Sequence, residues 1–302
     1  MAVISLPIFR IPFLALCIIL GRFGPYEIIQ LSLCSKRSLR VAKQCWKNKG
    51  EVKATLSANM ATNIDIHFDY AGHLYRFVIL DEKCFYDQQI HSVRDLFDVP
   101  IHSIDLEEEA RPNDFIRVID SIMSVQESIE KCTLHGENSN DECLTHLLDN
   151  CKVTRTLKIY GGPTRQFSYN WNIRLDRLHM FNGSSITLQN LMNMNCKFLE
   201  LTSSSLTSED ANQFLKHWQN GGNSRLKFLS TEIKAIDREV ITSGFDIVLQ
   251  PRGVFRYYKG KYNFIMFRSG GVDLRRIDGT IGTIFFYDNA FEFGVDPTED
   301  ML

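Results

Sequence analysis

Apolar residues recur at helical spacing over the first fifty positions and at two-residue spacing soon after, so the pattern changes period near residue 50. Leu14, Leu16, Ile19, Leu20 and Phe23 follow helical spacing after Pro12, and Gly24-Pro25 stops that run. Ile28, Ile29, Leu31, Leu33 and Cys34 predict a second short helix. A third is predicted where Leu39, Val41, Ala42, Cys45 and Trp46 stand among Lys36, Arg37, Arg40, Lys43 and Lys47. Residues 6–50 are therefore expected to form a small three-helix unit. Farther on, Ile64, Ile66 and Phe68 alternate with Asp65, His67 and Asp69. A turn at Tyr70-Ala71-Gly72-His73 and the apolar run 74–80 complete the signature of a β-hairpin, set in a linking region over 51–125.

The central third repeats one short strand, at 131–134, 156–159, 177–180, 198–201 and 225–228. Aligned on residues 132, 157, 178, 199 and 226, the steps of 25, 21, 21 and 27 fall in the range of leucine-rich repeats. Helix-compatible segments separate the strands at 143–148, 188–192 and 211–218. The last follows Leu206 and Thr207-Ser208-Glu209-Asp210, a capping hydroxyl with first-turn acids, and precedes Gly221-Gly222-Asn223. Phe214, Leu215 and Trp218 fall on its inward stripe, so Phe214 and Trp218 are expected to be structural. Strand and helix units that cannot bury their faces alone stack, so 126–235 is expected as a leucine-rich-repeat-like α/β solenoid with its five strands in one parallel sheet. An irregular α/β domain with coincident leucines is the alternative. Strands at 254–258, 262–267, 272–277, 280–287 and 291–295 predict a β-meander over 236–302. Its turns are expected at Lys259-Gly260, Gly270-Gly271, Asp278-Gly279 and Asp288-Asn289, with a loose tail from Pro297.

Composition adds size and compartment. With 302 residues, 44% hydrophobic and 23% charged, the chain can bury a sizeable core. The net charge of −2 hides an asymmetry: residues 1–50 carry eight basic side chains against Glu27 alone, a net of +7, leaving −9 for the rest. The first fifty residues therefore have a partner of their own or lie against the remainder. Eight cysteines without a C-x-x-C pair, each beside apolar residues, are expected to be mostly reduced and buried, as inside a cell. Residues 11–20 could pass for a secretory leader, but Pro7 and Pro12 break the start of the run and Arg22, Phe23 and Tyr26 stand where small residues would be cleaved. No stretch approaches the ~20 apolar residues of a membrane span.

Catalytic signatures are missing. No phosphate loop, dinucleotide fingerprint, zinc-protease or esterase motif occurs. His135-Gly136-Glu137 lacks the P-C-x-x-C half of a zinc deaminase, and His67 and His73 lack a third ligand at suitable spacing, so both read as loop or surface residues. No catalytic residue, cofactor or metal is expected.

Two motifs carry a resemblance. Ile11-Pro12-x-x-x-Leu16-x-x-Ile19-Leu20-x-x-Phe23, then Pro25-x-x-Ile28-Ile29-x-Leu31-Ser32-x-Cys34-Ser35-Lys36-Arg37, resembles an F-box. It departs from that pattern at Leu14, where Glu is common, and at Ser38, where Trp is common. Leu191-x-x-Met194-x-Cys196-x-x-Leu199-x-Leu201-x-x-Ser204-x-Leu206-Thr207-x-x-Asp210-x-Asn212-x-Phe214-Leu215-Lys216-x-Trp218 resembles the type-2 F-box-associated region of nematode F-box proteins. The resemblance implies an intracellular substrate receptor of a Skp–cullin–F-box ubiquitin ligase. Its F-box docks on the Skp adaptor, and through it on cullin, while the C-terminal part holds a protein destined for degradation. A +7 segment suits an acidic adaptor.

Pro12, Leu16, Ile19, Leu20, Phe23 and Leu31 are expected around one apolar Skp-binding surface. Client binding is expected within 150–295. There Lys158, His179 and Glu200 alternate with the apolar set and are candidate contacts, the competing reading being plain solvated strand residues. A Skp-binding scaffold without a role in ubiquitination and a cryptic hydrolase are the alternatives. Neither nucleic acid nor membrane is expected as a partner.

Overall fold

The computed structural model describes residues 8–46, 53–58, 63–70, 73–80, 96, 100–106, 112–136, 141–161, 163–259, 265–287 and 289–296. The chain divides into two compact units, Met1–Ile129 with Asn150–Lys152, and Glu130–Asp149 with Val153–Leu302.

In the first unit a short 3-10 turn (Ile8–Arg10) leads into α1 (Phe13–Leu20), α2 (Pro25–Leu33) and α3 (Lys36–Trp46). Pro25 opens α2 after an extended Gly24, where its missing N–H costs the helix nothing. Leu16 and Leu20 of α1, Ile28 and Ile29 of α2, and Ala42 and Trp46 of α3 are buried. Four strands follow: β1 (Lys53–Ala58), β2 (Asn63–Tyr70), β3 (His73–Leu80) and β4 (Ile101–Leu106). The β2–β3 hairpin pairs Tyr70 with His73 across the expected turn, whose Ala71 and Gly72 lie outside the described residues. Two elements escape a period-two reading. β1 joins the hairpin antiparallel to β2, and β4 adds to β1 in parallel. The start of β4 is held by Gln126, whose side chain accepts from the Ile101 N–H and donates to its carbonyl, both at 2.9 Å. Gln126 directly follows α4 (Pro112–Val125). Glu107-Glu108-Glu109, Cys84, Glu137 and the expected tail from Pro297 also lie outside the described residues.

The second unit is mixed α/β, built on β5 (Ile129–Leu134), β6 (Val153–Ile159), β7 (Arg177–Met180), β8 (Phe198–Leu201), β9 (Phe228–Glu232), β10 (Ile247–Lys259), β11 (Ile265–Arg275), β12 (Ile281–Phe286) and β13 (Ala290–Val295). Their order across the sheet is β5-β6-β7-β8-β9-β13-β12-β11-β10. β6 to β9 run parallel, and Leu157, Leu178, Leu199 and Leu229 stand side by side in register, all buried. Ladder pairing on one buried leucine per strand accounts for the shared register, because a one-residue slip would turn each leucine to the other face. After β9 the chain passes α8 (Arg238–Thr242) to the far edge and returns strand by strand, until β13 pairs antiparallel with β9.

Gly270-Gly271, expected as a turn, instead lies inside β11. The two glycines sit at φ of +69° and +111°, level with a register shift in β10 between Gln250 and Phe255. Left-handed backbone absorbs the irregularity without ending the strand. For the same reason β10 starts at Ile247, seven residues before the expectation. The strand expected at 225–228 starts at Phe228, because Asn223 accepts the Leu226 N–H in a turn.

α5 (Asp141–Asn150), α6 (Leu188–Asn193) and α7 (Ser208–Gln219) connect the parallel strands. α7 begins with a capping box in which Thr207 accepts from the Asp210 N–H and Asp210 accepts from that of Thr207. Phe214, Leu215 and Trp218 are fully buried, with 0% exposure. The Trp218 ring meets Phe293 of β13 edge-on at 4.8 Å. A Cβ at Gly282 would stand 2.3 Å from the Phe293 ring and 2.9 Å from Trp218, so only glycine on β12 permits this approach.

Candidate functional site

The expected Skp-binding residues do not share one surface. Pro12 and Ile19 are exposed, Phe23 and Leu31 are half-buried, and Leu16 and Leu20 are enclosed by the helical unit. The cause is that α1 reads Phe-Leu-Ala-Leu-Cys-Ile-Ile-Leu, apolar on every side, so spacing alone does not choose between its stripes. The stripe that faces outward is Leu14 and Ile18, 79% and 70% exposed, flanked by Phe13 and Ile19 at 49% and 41%. Lys36, Arg37 and Arg40 of α3 are exposed as well.

Lys158, His179 and Glu200 occupy one row, on neighbouring strands in direct register. All three are half-buried. His179 Nδ1 lies 3.6 Å from Glu200 Oε2, and Arg177 donates to Glu200 Oε1 at 3.2 Å. Burial pushes the His179 imidazole below its ordinary 6.5 and outweighs the pull of Glu200, with Lys158 and Arg177 pushing the same way. The ring is therefore neutral at pH 7.

Beyond this row, the residues that directly follow β5, β6 and β7 are His135, Tyr160 and Phe181. Their rings form a shelf with His179. His135 stacks on Tyr160 at 4.8 Å, Tyr160 meets Phe181 at 5.4 Å, and Phe181 stacks on His179 at 5.4 Å. Tyr160 and Phe181 are exposed. This shelf is a site beyond the sequence expectations, and its signal is a ring-bearing residue one position past the apolar end of β5, β6 and β7 but not of β8 or β9.

Next to Phe181 opens a cleft of about 810 Å³, lined by the loops that follow β7, β8 and β9, by Arg165 and by Asn289 of the β12–β13 turn. Two of these loops carry a duplicated signature, Ser184-Ser185-Ile186-Thr187 and Ser204-Ser205-Leu206-Thr207. In each the Ile or Leu is buried and the Thr caps the next helix, and Ser184, Ser204 and Ser205 line the cleft. The loops are tied to one another. Ser205 Oγ donates to the Ser184 carbonyl at 2.7 Å, and the Ser203 N–H, on a residue at φ +50°, donates to Glu232 Oε2 at 2.6 Å. The Ile233 N–H reaches the Asn289 carbonyl at 3.0 Å. Ser184 Oγ is buried without a hydrogen-bond partner among the described residues. Arg165 and Lys234 stand exposed with no ion pair or hydrogen bond among the described residues.

The opposite ends of the strands are closed by Asp176. It pairs with Lys197 at 2.8 Å and Arg225 at 3.1 Å, with Arg155 at 3.9 Å. Burial pushes its carboxyl up, but the Lys197 hydrogen bond and the charges of Lys197, Arg225 and Arg155 together hold it below the ordinary 3.8. Four of the seven described cysteines are buried, Cys34 is exposed, and Cys17 and Cys45 are half-buried; all are free thiols. Among the described residues no three His, Cys, Asp or Glu side chains are grouped to hold a metal, and no helix is long and apolar enough to cross a membrane.

Residues 166–231 match the family model described as F-box associated. The matched segment includes β7, α6, β8 and α7, so both serine loops of the cleft lie within it. No curated protein and no solved structure matches the chain.

Proposed function

We propose that this chain is a non-catalytic substrate receptor of a Skp–cullin–F-box ubiquitin ligase, working inside the cell. The observation that carries this reading is the F-box-associated region at 166–231, in one chain with the Ile11 to Arg37 pattern. In this reading α1, α2 and α3 are the F-box, the parallel strands and their helices are the leucine-rich-repeat-like body that holds a client, and cullin is recruited through Skp.

The physics of the N-terminal helices suits docking. At ~25 cal/mol per Å², covering a few hundred Å² of apolar side chain yields several kcal/mol before association entropy is subtracted. The face centred on Leu14 and Ile18 supplies such side chains, and the exposed cations of α3 favour an acidic adaptor. Leu16 and Leu20 act one step back, by holding α1 in place.

Titration of purified Skp into the chain tests this assignment. Replacing Leu14 and Ile18 together by Asp leaves the fold intact, since both side chains are exposed, and is expected to abolish Skp binding. Undiminished binding by the double variant would remove this face from the interface.

A further inference from the structure

Resting on the receptor reading, we infer that the shelf and cleft at the carboxyl ends of β6 to β9 form the client site, and that its ligand is an acidic peptide segment with an apolar residue beside its carboxylates.

Position is the first argument. Loops that leave the carboxyl ends of parallel strands converge on one edge of the sheet, which is where open α/β sheets hold ligands. The cleft lies at the point where the parallel set gives way to the antiparallel β13. Its volume of about 810 Å³ is within the range of formed ligand sites.

Charge and hydrogen-bonding capacity choose the ligand. Arg165 and Lys234 flank the cleft without an acidic partner among the described residues, so an incoming carboxylate meets two free cations. One oxygen of the cleft's own carboxylate, Glu232, is already taken by the Ser203 N–H. Ser184 Oγ is buried and unsatisfied among the described residues, and Asn182 adds an amide. A carboxylate is acceptor-only and can engage several such donors, with the bonds from Arg and Lys strengthened by charge. A basic ligand would meet the same two cations and be repelled.

The shelf supplies the apolar half. Tyr160 and Phe181 offer rigid ring surface that loses little side-chain entropy on binding. Phe181 is the chain neighbour of Asn182, so ring surface and polar cleft abut within one residue. A segment crossing both must present an apolar side chain next to acidic ones. Two cations are too few to track a nucleic-acid backbone, which separates this site from an RNA groove.

The test is selection of a random peptide library on the full-length chain. Peptides with Asp or Glu beside Leu, Phe or Met are expected to be enriched. A fluorescein-labelled copy of the best one should bind saturably and weaken with salt. Arg165→Glu with Lys234→Glu should lower that affinity about tenfold or more at an unchanged melting temperature, since both side chains are exposed, and Tyr160→Ala with Phe181→Ala should lower it as far while the chain still unfolds cooperatively. Enrichment of basic or neutral peptides, no enrichment, equal retention by the variants, or preference for a labelled oligouridylate would each overturn the inference. Skp titration on the same preparations separates the two readings. Skp binding without acidic peptides sinks the client site alone, whereas acidic peptides without Skp binding sink the receptor reading and leave the cleft assignment standing.

Discussion

Phe214 and Trp218 show how much a single position can reveal from sequence. They stand among polar residues on α7, so only one stripe of that helix could turn inward, and both are fully buried. Phe214→Ala is expected to cost about 3–5 kcal/mol in chemical denaturation, the usual cost of emptying such a site. Gly282 was not legible, because nothing in the sequence announces that the rings of Trp218 and Phe293 pass over it. Gly282→Ala should destabilise by about 1–3 kcal/mol through overpacking, seen as a lower denaturation midpoint with an unchanged slope. His179 adds a pH dependence of its own. Its imidazole titrates lower in the fold than in the open chain, so the unfolded state binds the proton more readily and stability falls as pH drops below about 6.5. His179→Asn should flatten that part of the stability profile; a slope unchanged near pH 6 would deny the residue this role.

The parallel strands were legible as elements because each carries one buried leucine in a short alternating run, and the start of α7 was legible from its capping residues. Thr207→Ala should cost about 1 kcal/mol by removing the cap of α7. What remained hidden were features set by partners distant in sequence. β1 is an edge-poor, mixed segment that becomes a strand by pairing with β2 and β4. Gly270-Gly271 reads as a turn in isolation, yet long antiparallel pairing carries β11 through it. α1 was recognised but its orientation was not, since a helix apolar all round leaves the choice of buried face to packing. The strand starts make a further prediction. Asp176 draws Lys197, Arg225 and Arg155 together, and its carboxyl titrates below the ordinary 3.8. Its stabilising contribution is therefore complete above that value and is lost as pH falls through the lower folded value. Asp176→Asn should lower stability at neutral pH and narrow its difference from the unaltered chain in acid.

Across the whole molecule the division of labour follows charge and surface. The +7 of residues 1–50 accompanies a helical unit with an outward apolar face, while the serine loops of the cleft lie in the segment that matches the F-box-associated model, with the other cleft and shelf residues drawn from inside and outside that segment. Composition made that asymmetry visible from the start. The cleft stayed out of sight because its lining comes from five connecting segments spread between residues 165 and 289. Affinity purification of the full chain from cells, followed by mass spectrometry, tests the receptor account most directly. The account predicts that Skp and cullin co-purify with the unaltered chain and disappear from the Leu14→Asp, Ile18→Asp variant, while the remaining bound proteins persist. Absence of Skp and cullin from the unaltered chain, or their retention on the variant, would contradict it.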